Sequence, residues 1–185
     1  MPDINKFKKW KLKHAIDTAK KIIESGEELQ PLFLGYTNDS FLIIPGFFKN
    51  DEEKDVFLNQ IKVIFAVFGI EFYISVNEAW VSTQEKSTVD NFIKPSLDPK
   101  RKEALVITCV SHNEKSLVMY DIKRKGKKKT LSKEPSSEGC GIVGRFTELL
   151  PPKDLVLPPE YREQAIDMLK KSGIHLNKVE KEVLN

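Results

Sequence analysis

The chain has 185 residues, a net charge of +3 and two cysteines. That length suits a single domain, and two distant cysteines, Cys109 and Cys140, exclude both a disulfide scaffold and a cysteine-rich metal site. The longest apolar run, Val63 to Ile70, is eight residues, short of the ~20 that cross a bilayer, and the Met-Pro-Asp start lacks the apolar core of a secretory signal. A cytoplasmic protein with no membrane contact is expected.

From residue 3 to 25 the pattern is helical: Ile4, Leu12, Ala15, Ile16, Ala19, Ile22 and Ile23 fall in one sector, and Gly26 ends the run. Phe7, Trp10 and His14 lie away from that stripe among Lys6, Lys11, Lys13 and Lys21, which gives the helix a second, aromatic and basic face. Two β-rich runs between Leu29 and Ile44 flank Asn38-Asp39, a turn pair, and read as an antiparallel hairpin. Asn50 offers a side-chain oxygen to cap a helix, with Asp51, Glu52 and Glu53 where its dipole favours negative charge. The last two turns of that helix are apolar nearly all round, so they should be buried on several sides.

Beyond Gly69, apolar residues alternate at Ile70, Phe72, Ile74 and Val76, the period of a half-buried strand running towards Ser82. Residues 84–102 lose all periodicity and read as a long loop. Ala104 to Val110 and Leu117 to Ile122 form a second antiparallel pair turned at 112–115, and a further strand begins near Lys129. Glycines 139, 141 and 144 punctuate the stretch before Pro151-Pro152, and a modest helix follows Pro159 until Gly173. The order β-β-α-β-β-β predicts an α+β fold: a mostly antiparallel sheet with the central helix packed on one face, plus N-terminal and C-terminal helices. Three segments are expected: a basic helix over 1–26, an α+β core over 27–152, and a connector with a helical tail over 153–185.

Three stretches carry a resemblance: Glu78-Ala79-Trp80-Val81; Pro95-Ser96 with Asp98-Pro99-Lys100-Arg101-Lys102-Glu103-Ala104-Leu105-Val106; and Gly144-Arg145-Phe146-Thr147-Glu148-Leu149-Leu150-Pro151-Pro152. In combination the chain resembles an uncharacterised group of bacterial and phage-associated proteins, over roughly residues 29–152. The resemblance implies a shared domain and carries no residue role or activity. The first helix and the lysine-rich stretch lie outside the shared pattern, so a function resting on them is particular to this protein.

Glu78 is the most interesting single residue. Continuing the alternation of Ile74 and Val76 places it on the apolar face beside Trp80, where desolvation would raise its pKa and prepare a general acid or base. With Arg101 binding an anion and residues 84–102 as a lid, Glu78, Trp80 and Arg101 are candidates to line an enzyme pocket. A strand end turned to water, or an ion pair with a nearby cation, would remove that chemistry. Cys140 between Gly139 and Gly141, with His112 as base, is a poorer nucleophile candidate, and Cys109 reads as core. His14, His112 and His175 are scattered, so no metal site is expected, and the absence of phosphate-binding glycine loops and of GxSxG leaves no cofactor expected.

The sharpest charge feature is Lys123-Arg124-Lys125-Gly126-Lys127-Lys128-Lys129, six cations in seven residues around a turn glycine. Such a finger projecting into solvent suits phosphate contacts whose strength falls with salt. Trp10 and Lys13 of the first helix offer stacking and charge of the same kind. Three readings follow. The favoured one is a non-enzymatic binding or accessory module that contacts nucleic acid or an acidic protein through the basic hairpin. The others are an enzyme using Glu78, and a structural or assembly protein, a homo-oligomer included, built through the aromatic first helix and the apolar central one.

Overall fold

Asn50 starts the central helix as its side chain foretells. Its Oδ1 accepts from the Glu53 backbone N–H at 2.8 Å, while Glu53 Oε2 accepts from the Lys49 N–H at 2.8 Å, so one orphan donor of the first turn and the N–H just ahead of the cap are both satisfied. The helix runs Asp51–Phe68 and stops at Gly69, whose φ of 67° and ψ of 46° are left-handed, a conformation that glycine adopts without strain.

The computed structural model describes residues 4–82, 95–126, 128–140, 145–171 and 173–178. In chain order the elements are α1 (Ile4–Ser25), β1 (Leu32–Tyr36), β2 (Ser40–Pro45), α2 (Asp51–Phe68), β3 (Phe72–Val81), β4 (Lys102–Ser111), β5 (Lys115–Lys125), β6 (Lys128–Leu131), β7 (Ser137–Cys140), α3 (Pro159–Lys171) and β8 (Asn177–Lys178). Short 3-10 turns lie at Pro95–Leu97 and Arg145–Thr147. The strands form an antiparallel sheet in the order β6-β5-β4-β3-β1-β2-β8, with β7 also paired to β5. The fold is α+β, with the expected N-terminal and C-terminal helices.

Strand alternation sorts the core into two layers. Phe72, Ile74 and Val76 of β3, with Leu105 and Ile107 of β4, face α1 and pack against its Phe7, Ala15, Ala19 and Ile23. Tyr73, on the opposite face, joins Phe33, Leu42 and Ile44 under Leu58, Ile61, Ile64, Phe65 and Phe68 of α2. The sheet therefore carries helices on both faces. At Gly35 a Cβ would lie 3.0 Å from Phe65 Cε1 and 3.2 Å from Ile70 Cδ1, so the missing side chain is what lets α2 settle on β1. Helix α3 lies against α2, where Arg162 Nε donates to the Val67 carbonyl at 2.9 Å.

Two features depart from the pattern read in the sequence. Phe7 does not belong to a second face of α1: it is buried, with edge-on contacts to Tyr36 and Phe72 at 5.9 Å each. At 3.6 residues per turn it sits about 80° from Ala15, inside a stripe wider than the aliphatic residues alone define. Strands β7 and β8 were not expected, because Ser137–Cys140 and Asn177–Lys178 hold no β-branched or aromatic residue; backbone pairing joins them to β5 and β2. Most of the loop read over residues 84–102, and the lid built on it, falls at 83–94, outside the described residues.

Candidate functional site

Register brings the ends of four strands together at one end of the sheet. In the β3–β4 ladder Glu78 faces Leu105, Trp80 faces Glu103 and Val81 faces Lys102. In the β5–β6 hairpin Arg124 faces Lys129 and Lys125 faces Lys128, around Gly126 with φ of 63°. Because side chains alternate along each strand, Glu78, Trp80, Glu103, Arg124 and Lys129 share the α1 face. The expected alternation through Ile74 and Val76 to Glu78 is present, and Glu78 is largely withdrawn from water.

Glu78 is not a free acid. Lys129 Nζ donates to both of its carboxylate oxygens at 2.7 Å, and the two side chains are only 10% and 15% exposed. Arg124 grips Glu103 through Nε and Nη2, in the two-pronged geometry that suits guanidinium and carboxylate, and reaches Glu78 Oε2 at 3.9 Å. The hydrogen bond from Arg124 holds the Glu103 carboxyl below its ordinary range despite burial, and the same bond raises Arg124. Two acids and two cations thus close on one another. A carboxylate with both oxygens committed to an ammonium gives acid–base chemistry no support.

Of the six cations counted in the finger, Arg124 and Lys129 are therefore turned inward. Lys123, Lys125 and Lys128 are exposed on the opposite side of the hairpin, and none of the three makes an ion pair among the described residues. Lys127 lies outside the described residues. Arg101 and Lys102 join them from the start of β4: Lys102 is well exposed, with Asp121 Oδ2 3.9 Å away. Arg101 lies over the ring of Trp80, its guanidinium carbon 4.7 Å from the centroid, and donates through Nη1 to the Ser96 carbonyl. Trp80 itself is 46% exposed. The strand of Glu78 and Trp80 and the lysine finger, which the sequence presents as unrelated features, meet at one end of the sheet, Trp80 on the α1 face and Lys123, Lys125 and Lys128 on the opposite one.

Trp10 and Lys13 do not belong to it. Trp10 stacks on His14, with centroids 5.9 Å apart, and Lys11 sits 4.5 Å above its ring. This part of α1 lies over Tyr36, Phe41 and Phe72, at the start of β3, about 25 Å along that strand from Trp80. Burial holds Lys11 below the usual lysine range.

The other sequence candidates separate. Cys109 is buried and its thiol is pushed up to about 11, mainly by desolvation. The side chain of Cys140 is outside the described set; its backbone pairs with Ser116. His112 borders a separate cavity of 760 Å³ with Lys8, Glu71, Glu114 and Lys153. Among the described residues no group of three or more His, Cys, Asp or Glu is placed to hold a metal ion, and no helix is long and apolar enough to cross a membrane. Of the apolar features that motivated an assembly role, Phe7 and Ile64, Phe65, Val67 and Phe68 of α2 are buried, whereas Val63, expected to be buried with them, is 61% exposed. What remains is a groove of 620 Å³ lined by Val63, Val67, Leu150, Pro151, Leu155 and Tyr161. The sequence reading missed this groove, because its walls come from three separate segments.

Sequence reasoning also missed Glu103, whose role depends on standing opposite Trp80 and beside Arg124. Alternation through Lys123-Arg124-Lys125 was the available signal that Arg124 points away from its neighbours. Comparison with family models, curated proteins and solved structures finds no significant match to the chain, so function is argued from this surface alone.

Proposed function

We propose that the chain is a non-enzymatic binding module that holds a phosphate-bearing polyanion, nucleic acid, against the basic end of its sheet. The observation that carries this reading is the partition of charge in the hairpin. On the α1 face Glu78 and Glu103 are neutralised by Lys129 and Arg124, and on the lysine face Asp121 has Lys102 3.9 Å away. The Lys129–Glu78 pair ties β6 to β3 and the Arg124–Glu103 pair ties β5 to β4, while Lys123, Lys125 and Lys128 stay exposed without a carboxylate partner among the described residues. A rigid hairpin that presents lysines loses little side-chain and backbone entropy on meeting phosphates, and each phosphate neutralised releases counterions. Such contacts position a ligand without reading its sequence.

The test is fluorescence anisotropy of labelled random-sequence DNA and RNA at low salt, comparing the unaltered chain with the Lys123→Ala/Lys125→Ala/Lys128→Ala variant. Affinity should fall at least about tenfold in the variant, with little preference among sequences. Equal affinity of the two proteins would place the contact elsewhere. Polyglutamate of matched length competing as well as the oligonucleotide would point to an acidic protein as the ligand instead.

A further inference from the structure

Trp80 is a large ring left 46% exposed at the end of a strand whose earlier residues are buried. Its companion is held in place before any ligand arrives. Asp98 is buried and shapes the turn ahead of β4: its Oδ1 accepts from the Lys100 N–H at 2.8 Å, and its carbonyl accepts from the Arg101 N–H at 3.0 Å. From that turn the Arg101 side chain extends over the Trp80 ring and is tied to the Ser96 carbonyl. The indole and the guanidinium make a stacked pair with one turn, two strands and a hydrogen bond fixing it. Directly across the ladder stands Glu103, whose carboxylate is turned to Arg124, so the platform borders the anchored base of the lysine hairpin.

We infer that the Trp80–Arg101 pair is a stacking platform for an unpaired nucleobase, and hence that the ligand of the basic end is single-stranded nucleic acid. The inference rests on the polyanion reading above and narrows it. A duplex keeps its base faces stacked inside, and a bare phosphate chain has no π face. Only a single strand can place a base on the pair on the α1 face while its backbone crosses the end of the sheet to Lys123, Lys125 and Lys128 on the opposite face. Aromatic rings and arginine planes both accept stacked bases, and every base has such a face, so the platform favours single strands without selecting a sequence. The arginine adds charge to the same contact, which a second aromatic ring would not.

The chain has two tryptophans, so Trp10→Phe leaves Trp80 as the sole tryptophan, excited selectively at the red edge of indole absorption. In that background, three probes are titrated at one low salt concentration: a thymidine 12-mer, a hairpin duplex of equal charge, and inorganic polyphosphate. The single strand should quench Trp80 emission and polyphosphate should not. Trp80→Ala should weaken single-strand binding about tenfold, several-fold more than it weakens polyphosphate binding. Arg101→Lys, which keeps the charge and loses the plane, should weaken single-strand binding by less than Trp80→Ala and in the same direction. Trp80→Phe, whose smaller ring still stacks, should recover much of the loss and guards against a folding defect in the alanine variant. Binding of all three probes with no quenching and no effect of Trp80→Ala beyond that on polyphosphate would overturn the inference while leaving the polyanion reading standing. Failure of the unaltered chain to bind any of the three would remove both.

Discussion

Replacing Lys129 with methionine isolates the ion pair that ties β6 to β3. Methionine keeps most of the aliphatic stem and removes the ammonium that lies 2.7 Å from both Glu78 oxygens. With an effective dielectric of about 20, unit charges at this separation attract by about 6 kcal/mol, and desolvation of the two groups offsets much of that. Deleting one partner leaves the other's desolvation uncompensated. Glu78 is 15% exposed and retains Arg124 only at 3.9 Å, so Lys129→Met should cost about 2–4 kcal/mol. For a domain of this size that corresponds to a melting temperature lower by about 5–15 °C. Urea unfolding followed by circular dichroism reads it directly, and a double-mutant cycle with Glu78→Gln separates charge from packing. The double variant should be more stable than Lys129→Met alone, because its buried carboxylate is gone. A single variant within about 0.5 kcal/mol of the unaltered chain, the usual range for a surface substitution, or a double variant less stable than the single one, would refute the claim that this pair ties β6 to β3.

Acid should test the neighbouring pair. Glu103 is held below its ordinary value of 4.5 chiefly by the Arg124 hydrogen bond. Its contribution is therefore complete above the unfolded pKa and is lost as pH falls from about 4.5 through the lower folded value. Urea midpoints at pH 6 and pH 3 should differ less for Glu103→Gln than for the unaltered chain; equal falls would contradict the assignment. In Cys140→Ser protein, Cys109 should react with a thiol reagent at pH 8 on the order of a hundredfold more slowly folded than unfolded, as burial and a pKa of about 11 require; similar rates would show that the α1 layer opens readily. Gly35→Ala should cost about 1–3 kcal/mol in thermal unfolding, because its Cβ meets Phe65 and Ile70 at 3.0–3.3 Å. A neutral effect would mean that α2 can shift from β1 without loss.

Local signals in the sequence foretold much of the frame. Asn50 and the acids after it marked the start of α2, the alternation from Ile70 marked β3, and the same alternation placed Glu78 on the α1 face. Those features depend on neighbours within a few residues. What stayed hidden depends on register between distant strands. Glu78 meets Lys129, fifty-one residues on, only because β5 pairs with β4 and turns at Gly126, and nothing near either residue specifies that offset. The same holds for Glu103 against Arg124. A run of like charges also reads as one patch in sequence, although strand alternation divides it: Lys123, Lys125 and Lys128 to one side, Arg124 and Lys129 to the other. Arg101 and Trp80 were named together as neighbours of a pocket, and they do lie in contact, with the Trp80 ring partly exposed.

The salt dependence of binding tests the central claim most directly. The logarithm of the affinity for a single-stranded oligonucleotide is measured against the logarithm of salt concentration for the unaltered chain and for the Lys123→Ala/Lys125→Ala/Lys128→Ala variant. At about 0.7 per phosphate contact on a single strand, removing three lysines that each meet a phosphate should make the slope shallower by about 2. Identical slopes and affinities for the two proteins would contradict the assignment of the exposed side of the β5–β6 hairpin as the contact surface.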